Sequence, residues 1–121
     1  MILVDTAIWI DHLNRAPSPT LLGLLERWQI LSHPFVVGEL ALGHLRERTI
    51  LDDLGNLRQA NIATNNEVLV AIERHSLAGE GIGYVDAHLL TAVQLTAGAS
   101  LWTRDRRLHA VAYRLGLSAN L

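Results

Sequence analysis

Four acidic residues of the chain lie directly after an apolar strand, inside an apolar helix or in the first turn of a helix. Carboxylates that converge on one point repel one another unless a cation lies between them. Ligand sets made only of oxygen favour hard cations such as Mg²⁺ or Mn²⁺, whereas zinc prefers His or Cys. The sequence therefore predicts a divalent-metal site formed by Asp5, Glu39, Asp86 and Asp105.

Three of these acids also have a purely structural interpretation. Asp5 follows the apolar run at residues 2–4 and could cap the next helix, unless Thr6 caps it and leaves Asp5 free to face a cleft. Asp86 falls in the first turn of a predicted helix, where an acid complements the helix dipole. Asp105 follows a predicted strand and could also be a cap. Position alone leaves both interpretations open.

Glu39 lies in an almost entirely apolar segment, residues 35–43. On a helix it would share a stripe with Phe35, Val36 and Leu42. A carboxylate on a buried stripe costs several kcal/mol unless a cation or hydrogen-bond donors accompany it. We therefore expect either a partnered functional carboxylate or an exposed helix edge.

The elements that must position these acids alternate short apolar strands with helices, which indicates one α/β domain over residues 1–121 with a small parallel sheet flanked by helices. In such sheets ligands bind at the carboxyl ends of the strands, so the site is expected just after Val4 and Thr103. Strands are predicted at 2–4, 29–31, 61–64 and 100–103. Helices are predicted at 6–14, 21–28, 35–45, 50–57, 67–78, 84–96 and 106–115, with the one at 35–45 apolar nearly all round and hence buried.

The chain has no cysteine, and all ten of its basic residues are arginine. Thiol chemistry, thiolate zinc sites and lysine-dependent chemistry are therefore excluded. A phosphohydrolase with an aspartyl nucleophile would need an acid at Ala7 and a lysine, and a receiver domain would need the same lysine. The six histidines form no compact metal-binding pair, and we expect them at the surface or half-buried: His12, His33, His44, His75, His88 and His109.

No segment resembles a membrane span or a secretion signal. The longest apolar stretch, residues 82–102, is interrupted by Asp86, His88 and Gln94. The first residues lack a basic leader followed by an apolar core. We therefore expect a cytoplasmic protein with no membrane partner.

Four segments resemble the PIN-domain ribonucleases, and most closely the VapC toxins of type II bacterial toxin–antitoxin pairs. They are residues 4–11 (VDTAIWID), 37–40 (VGEL), 85–92 (VDAHLLTA) and 101–108 (LWTRDRRL), and together they cover essentially the whole chain. The resemblance implies a three-layer α/β/α PIN-like domain. The segment His88-Leu89-Leu90 departs from the family, which more often has small or β-branched residues there.

The same resemblance implies an endoribonuclease that depends on Mg²⁺ or Mn²⁺. A divalent ion polarises a phosphoryl oxygen and activates a water for in-line attack, which would leave a 5′-phosphate and a 3′-hydroxyl. The alternative is a catalytically silent PIN-like module that binds RNA or protein. By the motifs, the catalytic and metal-binding residues would be Asp5, Glu39, Asp86 and Asp105, with Thr6 and Thr103 lining the site.

Three arginines beside the last acid, Arg104, Arg106 and Arg107, are candidates for binding RNA, because a guanidinium pairs well with phosphate. The alternative is a solvated helix face with ordinary ion pairs.

The formal charge of −2 argues against a nucleic-acid partner only at first sight. Once four acids belong to a metal site, eight acids remain against ten arginines.

The chain contains twenty-three leucines, and their combined apolar surface is larger than a small core readily covers. The leucine-rich stretches at residues 21–25 and 50–57 could expose apolar faces, or could pack inside the domain. By resemblance, such faces would serve a homodimer and a VapB-like antitoxin, alone or in a larger toxin–antitoxin assembly. The C-terminal segment of that antitoxin would cover the acidic groove.

Overall fold

A computed structural model of the chain describes residues 1–121. Helices separate the strands as expected, two between each pair of successive strands, in a three-layer α/β/α arrangement. The elements are β1 (Ile2–Val4), α1 (Thr6–Asn14), α2 (Pro19–Glu26), β2 (Ile30–Ser32), α3 (Pro34–Leu42), α4 (Ile50–Gly55), β3 (Arg58–Gln59), α5 (Asn65–Arg74), α6 (Tyr84–Leu95), β4 (Ser100–Trp102) and α7 (Arg106–Arg114). None of these helices combines the length and the apolar character needed to cross a membrane.

The four strands form one parallel sheet in the order β3-β2-β1-β4. β1 lies between β2 and β4, and Leu3 pairs with Leu31 on one side and Leu101 on the other. All three leucines are buried, as a strand covered by helices on both faces requires. The backbone N–H of Asp5 donates to the carbonyl of Trp102 at 2.9 Å, so β1 and β4 end side by side.

Residues 61–64, where the sequence pattern predicted a strand, form no strand in the structure. The additional strand is β3, at Arg58–Gln59, and both of its residues are exposed. A two-residue strand held by main-chain pairing carries no apolar pattern, so hydropathy did not reveal it. The predicted segment instead leads into α5, where Thr64 and Glu67 form a capping box.

Helix α3 is not buried all round. Only Val36 and Leu40 are buried on it, and Leu42 is 91% exposed. The helix is apolar on its open side as well, which hydropathy cannot distinguish from burial. The leucine-rich helix α2 is partly buried and partly exposed, since Leu21 and Leu24 are buried whereas Leu22 is exposed.

Two of the six histidines also differ from the expectation. His33 and His88 are buried, with 0% and 5% of their surface exposed. Their rings pack against Phe35, whose ring centroid lies 5.2 Å from that of His33 and 4.7 Å from that of His88. Burial of an imidazole between apolar neighbours depends on tertiary packing, which the local sequence did not indicate.

Candidate acidic site

Asp5 is both a helix cap and a residue of the predicted cleft. It is the N-cap of α1, and its Oδ1 accepts a hydrogen bond from the backbone N–H of Thr6 at 2.8 Å. Its Oδ2 accepts from the hydroxyl of Thr103 at 2.7 Å, across the edge of the sheet. Thr6 therefore does not cap the helix, and the two interpretations of Asp5 hold together.

Glu39 lies on the solvent-facing side of α3. Its Oε1 accepts a hydrogen bond from the hydroxyl of Thr6 at 2.8 Å. The residue is exposed, so the interpretation as an exposed helix edge is correct and the buried stripe is not. The contact with Thr6 nevertheless brings this carboxylate to the end of β1.

Asp86 lies in the first turn of α6, and its Oδ2 accepts from the backbone N–H of Gly83 at 3.0 Å. Burial raises the pKa of Asp86 above its ordinary value, and the negative charges of Asp5, Asp105 and Glu39 raise it further. The hydrogen bond from Gly83 acts in the opposite direction. The predicted convergence of the four acids is thus visible in the electrostatics of one of them.

Asp105 is the N-cap of α7, where its Oδ1 accepts from the backbone N–H of Leu108 at 2.9 Å. The N–H of Asp105 in turn donates to the hydroxyl oxygen of Thr103 at 3.1 Å. Because Thr103 is buried and donates to Asp5, it links the two acids that follow β1 and β4. The capping interpretation of Asp105 is therefore correct and compatible with a place in the cleft.

One open cleft of about 510 Å³ contains all four acids. It lies at the carboxyl ends of β1 and β4, where ligands bind in sheets of this kind. Its lining residues are Asp5, Thr6, Ala7, Ile10, Glu39, Asp86, Arg104 and Asp105. Thr103 is buried just beneath it.

Comparison with known proteins gives the family. A model of the PIN domain matches residues 2–113. The chain belongs to the PIN domain family. It is also similar to Ribonuclease VapC32 of Mycobacterium tuberculosis, strain CDC 1551 / Oshkosh, and to the protein of the same name in strain ATCC 25618 / H37Rv. Each is 48% identical over 119 residues, which span 98% of this chain and 95% of the relative.

The donors of this PIN domain suit a hard cation. The lining of the cleft offers carboxylate and hydroxyl oxygens but neither His nor Cys. No three acidic or histidine side chains are close enough to hold one ion directly. Mg²⁺ keeps several of its waters and takes only one or two carboxylates, so the wider spacing fits a hydrated ion.

The three arginines beside Asp105 differ in their surroundings. Arg104 lines the cleft and forms an ion pair with Asp11 of α1. Arg106 and Arg107 are exposed. The guanidinium of Arg107 lies over Gly81, where a Cβ would come within 2.5 Å of Nη1, and Gly81 has a φ of +79°.

Asp11 contacts the site through Arg104, although from the sequence it was only a weakly supported candidate for a supporting residue. Its partner Arg104 is 93 residues away in the chain, and the only local signal was its position one and a half helical turns after Asp5. The ion pair joins α1 to the rim of the cleft of this PIN domain and neutralises part of the charge of Arg104.

Proposed function

We propose that this PIN domain is an endoribonuclease that requires Mg²⁺ or Mn²⁺ and acts as the toxin of a toxin–antitoxin pair in the cytoplasm. The observation that carries the proposal is the set of four carboxylates around one cleft at the ends of β1 and β4. The name of the relatives, Ribonuclease VapC32, supports RNA as the substrate.

Asp5 and Asp86 would hold the ion, with Glu39 and Asp105 completing the negative site. When bound, such an ion polarises a phosphoryl oxygen and lowers the pKa of a water. Thr103 fixes the orientation of Asp5, and Thr6 fixes that of Glu39. These hydroxyls are positioning groups, since each already donates its proton to a carboxylate.

Water is the nucleophile that this arrangement favours. Thr103 is buried, and its oxygen already accepts a hydrogen bond from Asp105, so it has no free approach to phosphorus. The chain contains no cysteine or lysine that could form a covalent intermediate. Direct hydrolysis would leave a 5′-phosphate and a 3′-hydroxyl.

Mapping of the RNA ends tests the proposal. Total RNA incubated with the purified protein and Mg²⁺ should yield new internal ends that ligate as 5′-phosphates and extend as 3′-hydroxyls. Cyclic or 3′-phosphate ends would contradict the water mechanism. Absence of cleavage with retained RNA binding would favour the second candidate, a catalytically silent binding module.

Arg106 and Arg107 are proposed to hold RNA phosphates beside the cleft. Each phosphate contact to a single strand contributes about −0.7 to the slope of log affinity against log salt. The double variant Arg106→Ala/Arg107→Ala should make that slope shallower by about 1.4. Titration of a labelled single-stranded RNA at several salt concentrations measures it, with Arg58→Ala on the far edge of the sheet as control. An unchanged slope would mean a solvated helix face.

A groove between α1, α2 and α4 supports an antitoxin partner. It has a volume of about 180 Å³ and is lined by Trp9, His12, Leu13, Leu25, Ile50, Asp53, Leu54 and Leu57. We assign it to an apolar C-terminal segment of a VapB-like antitoxin, which would continue from there toward the acids.

The homodimer, and a larger assembly with the antitoxin, belong to the same proposal, and light scattering of the free and the bound toxin tests them.

A further inference from the structure

A cluster of four rings joins the start of α3 to the start of α6. We call it the ring cluster, and it consists of His33, Phe35, Tyr84 and His88. The ring centroid of His88 lies 4.7 Å from that of Phe35 and 4.8 Å from that of Tyr84. The Tyr84 and His88 rings are nearly perpendicular, at 88°. Two helices that carry acids of the cleft are thus connected through aromatic contacts.

The two aromatic rings of the cluster face solvent, while the two imidazoles support them from below. Phe35 is 37% exposed and Tyr84 is 45% exposed, whereas His33 and His88 are buried. The hydroxyl of Tyr84 donates a hydrogen bond to Asn65 of α5, so this ring is held at both ends. The exposed rings are therefore fixed in place, and a ligand that stacks on them does not need to order them first.

One of the exposed rings lies beside an acid of the cleft. Phe35 precedes Glu39 by four residues on α3, so the two side chains share a helix face about 6 Å apart. Tyr84 lies two residues before Asp86 on α6, so the two side chains point to different sides of that helix. Tyr84 adjoins Phe35 through the ring of His88, which contacts both. Neither ring lines the cleft itself, but an RNA strand that leaves the cleft along the start of α3 would pass Phe35 and then Tyr84.

We propose that Phe35 and Tyr84 form a stacking platform for an unpaired base of the RNA strand whose phosphate occupies the cleft. The inference rests on the proposed function and adds how the substrate is recognised. Proteins bind single-stranded RNA by stacking its bases on exposed aromatic rings. A second copy of the chain is a less favourable occupant, because a symmetric contact through these rings would bring two sets of four carboxylates together.

Direct binding tests the platform. The Asp5→Asn protein, which is expected to bind without cleaving, is titrated by fluorescence anisotropy into oligoadenylate and into an abasic ribose-phosphate oligomer of equal length. Phe35→Leu and Tyr84→Leu should each weaken oligoadenylate binding by about tenfold, the usual loss for one stacked base, and leave the abasic affinity unchanged. Phe35→Tyr and Tyr84→Phe, which keep the rings, should retain most of the affinity.

Tyr113→Leu is the matched control, because Tyr113 is 75% exposed on α7 and lies outside the ring cluster. In the cleaving protein, the loss in Phe35→Leu should fall on KM more than on kcat. Equal losses for both oligomers, or no loss, would overturn the platform. So would an unchanged affinity with a change of oligomeric state, which would assign the rings to a contact between copies. If the parent cleaves RNA and both leucine variants bind it as the parent does, only the platform is overturned. If the parent neither cleaves nor binds RNA, the proposed function is overturned as well.

Discussion

Asp5→Asn is expected to lower the rate of RNA cleavage by about a thousandfold, which corresponds to about 4 kcal/mol of transition-state stabilisation. Asp5 lies closest to the junction of β1 and β4, and its carboxylate is held by both Thr6 and Thr103. Asp5 is one of the two residues that would hold the proposed ion, so removal of its charge would weaken the binding of that ion. Initial rates on one mapped RNA substrate measure the effect.

The fold should survive this substitution. Asparagine is as good an N-cap as aspartate, so the contact with the N–H of Thr6 can persist. The amide nitrogen that replaces Oδ2 is a donor, so the hydroxyl of Thr103 loses its acceptor. One lost hydrogen bond costs about 1 kcal/mol. Circular dichroism and thermal unfolding therefore separate the loss of catalysis from loss of structure.

Asp52→Asn is the matched control for the same chemical change. Asp52 is an exposed acid in the first turn of α4, outside the cleft. We expect this variant to cleave at the parental rate. A parental rate in Asp5→Asn as well would remove the acidic cleft as the centre of hydrolysis.

The two acids at the strand ends were predictable from the sequence because the strands are short and apolar. A buried parallel strand must end in a polar residue at the edge of the sheet, and Asp5 follows β1 directly while Asp105 follows β4 after two residues. The rule about carboxyl ends then places both in one cleft. Their capping contacts were also predictable, since a cap and a ligand need the same position before a helix.

Glu39 and the ring cluster show where the sequence is insufficient. Helix α3 is apolar on both its buried and its open side, so its periodicity carries almost no information about which side faces the core. Glu39 is in the site because Thr6 reaches it from another helix. His33 and His88 are buried by contacts between α3 and α6, which are far apart in the chain. Such contacts arise from tertiary packing alone.

Removal of divalent metal is the second large effect we expect. A chelator should abolish cleavage, with a loss of at least about a thousandfold, and Mg²⁺ or Mn²⁺ should restore it. Ligand binding to the folded state alone stabilises it by about 2.7 kcal/mol at a hundred times Kd. For a domain of this size, thermal unfolding should therefore shift upward by about 10 °C on addition of Mg²⁺.

Asp86→Asn distinguishes this metal effect from a general effect of salt. Without metal, the carboxylate of Asp86 is half-buried and faces three other acids, so its neutralisation should raise the unfolding temperature of the chelated protein. With Mg²⁺, the same variant should gain much less than the parent because a ligand is missing. Asp52→Asn should respond to Mg²⁺ as the parent does. A parent that cleaves RNA in chelator, or an equal Mg²⁺ shift in Asp86→Asn, would contradict the metal site.

The pH dependence of the chelated protein tests how burial, together with the charges of the other three acids, disfavours the ionised form of Asp86. Because the pKa of Asp86 is raised in the folded state, the folded protein binds this proton more tightly than the unfolded chain does. The stabilising contribution of the protonated group is complete below the ordinary pKa of 3.8 and is lost as the pH rises through the raised value. The advantage of Asp86→Asn in urea unfolding should therefore grow across that range and stay constant above it. Mg²⁺ should cancel the advantage at neutral pH, because a cation among the four carboxylates replaces the proton as the group that neutralises them.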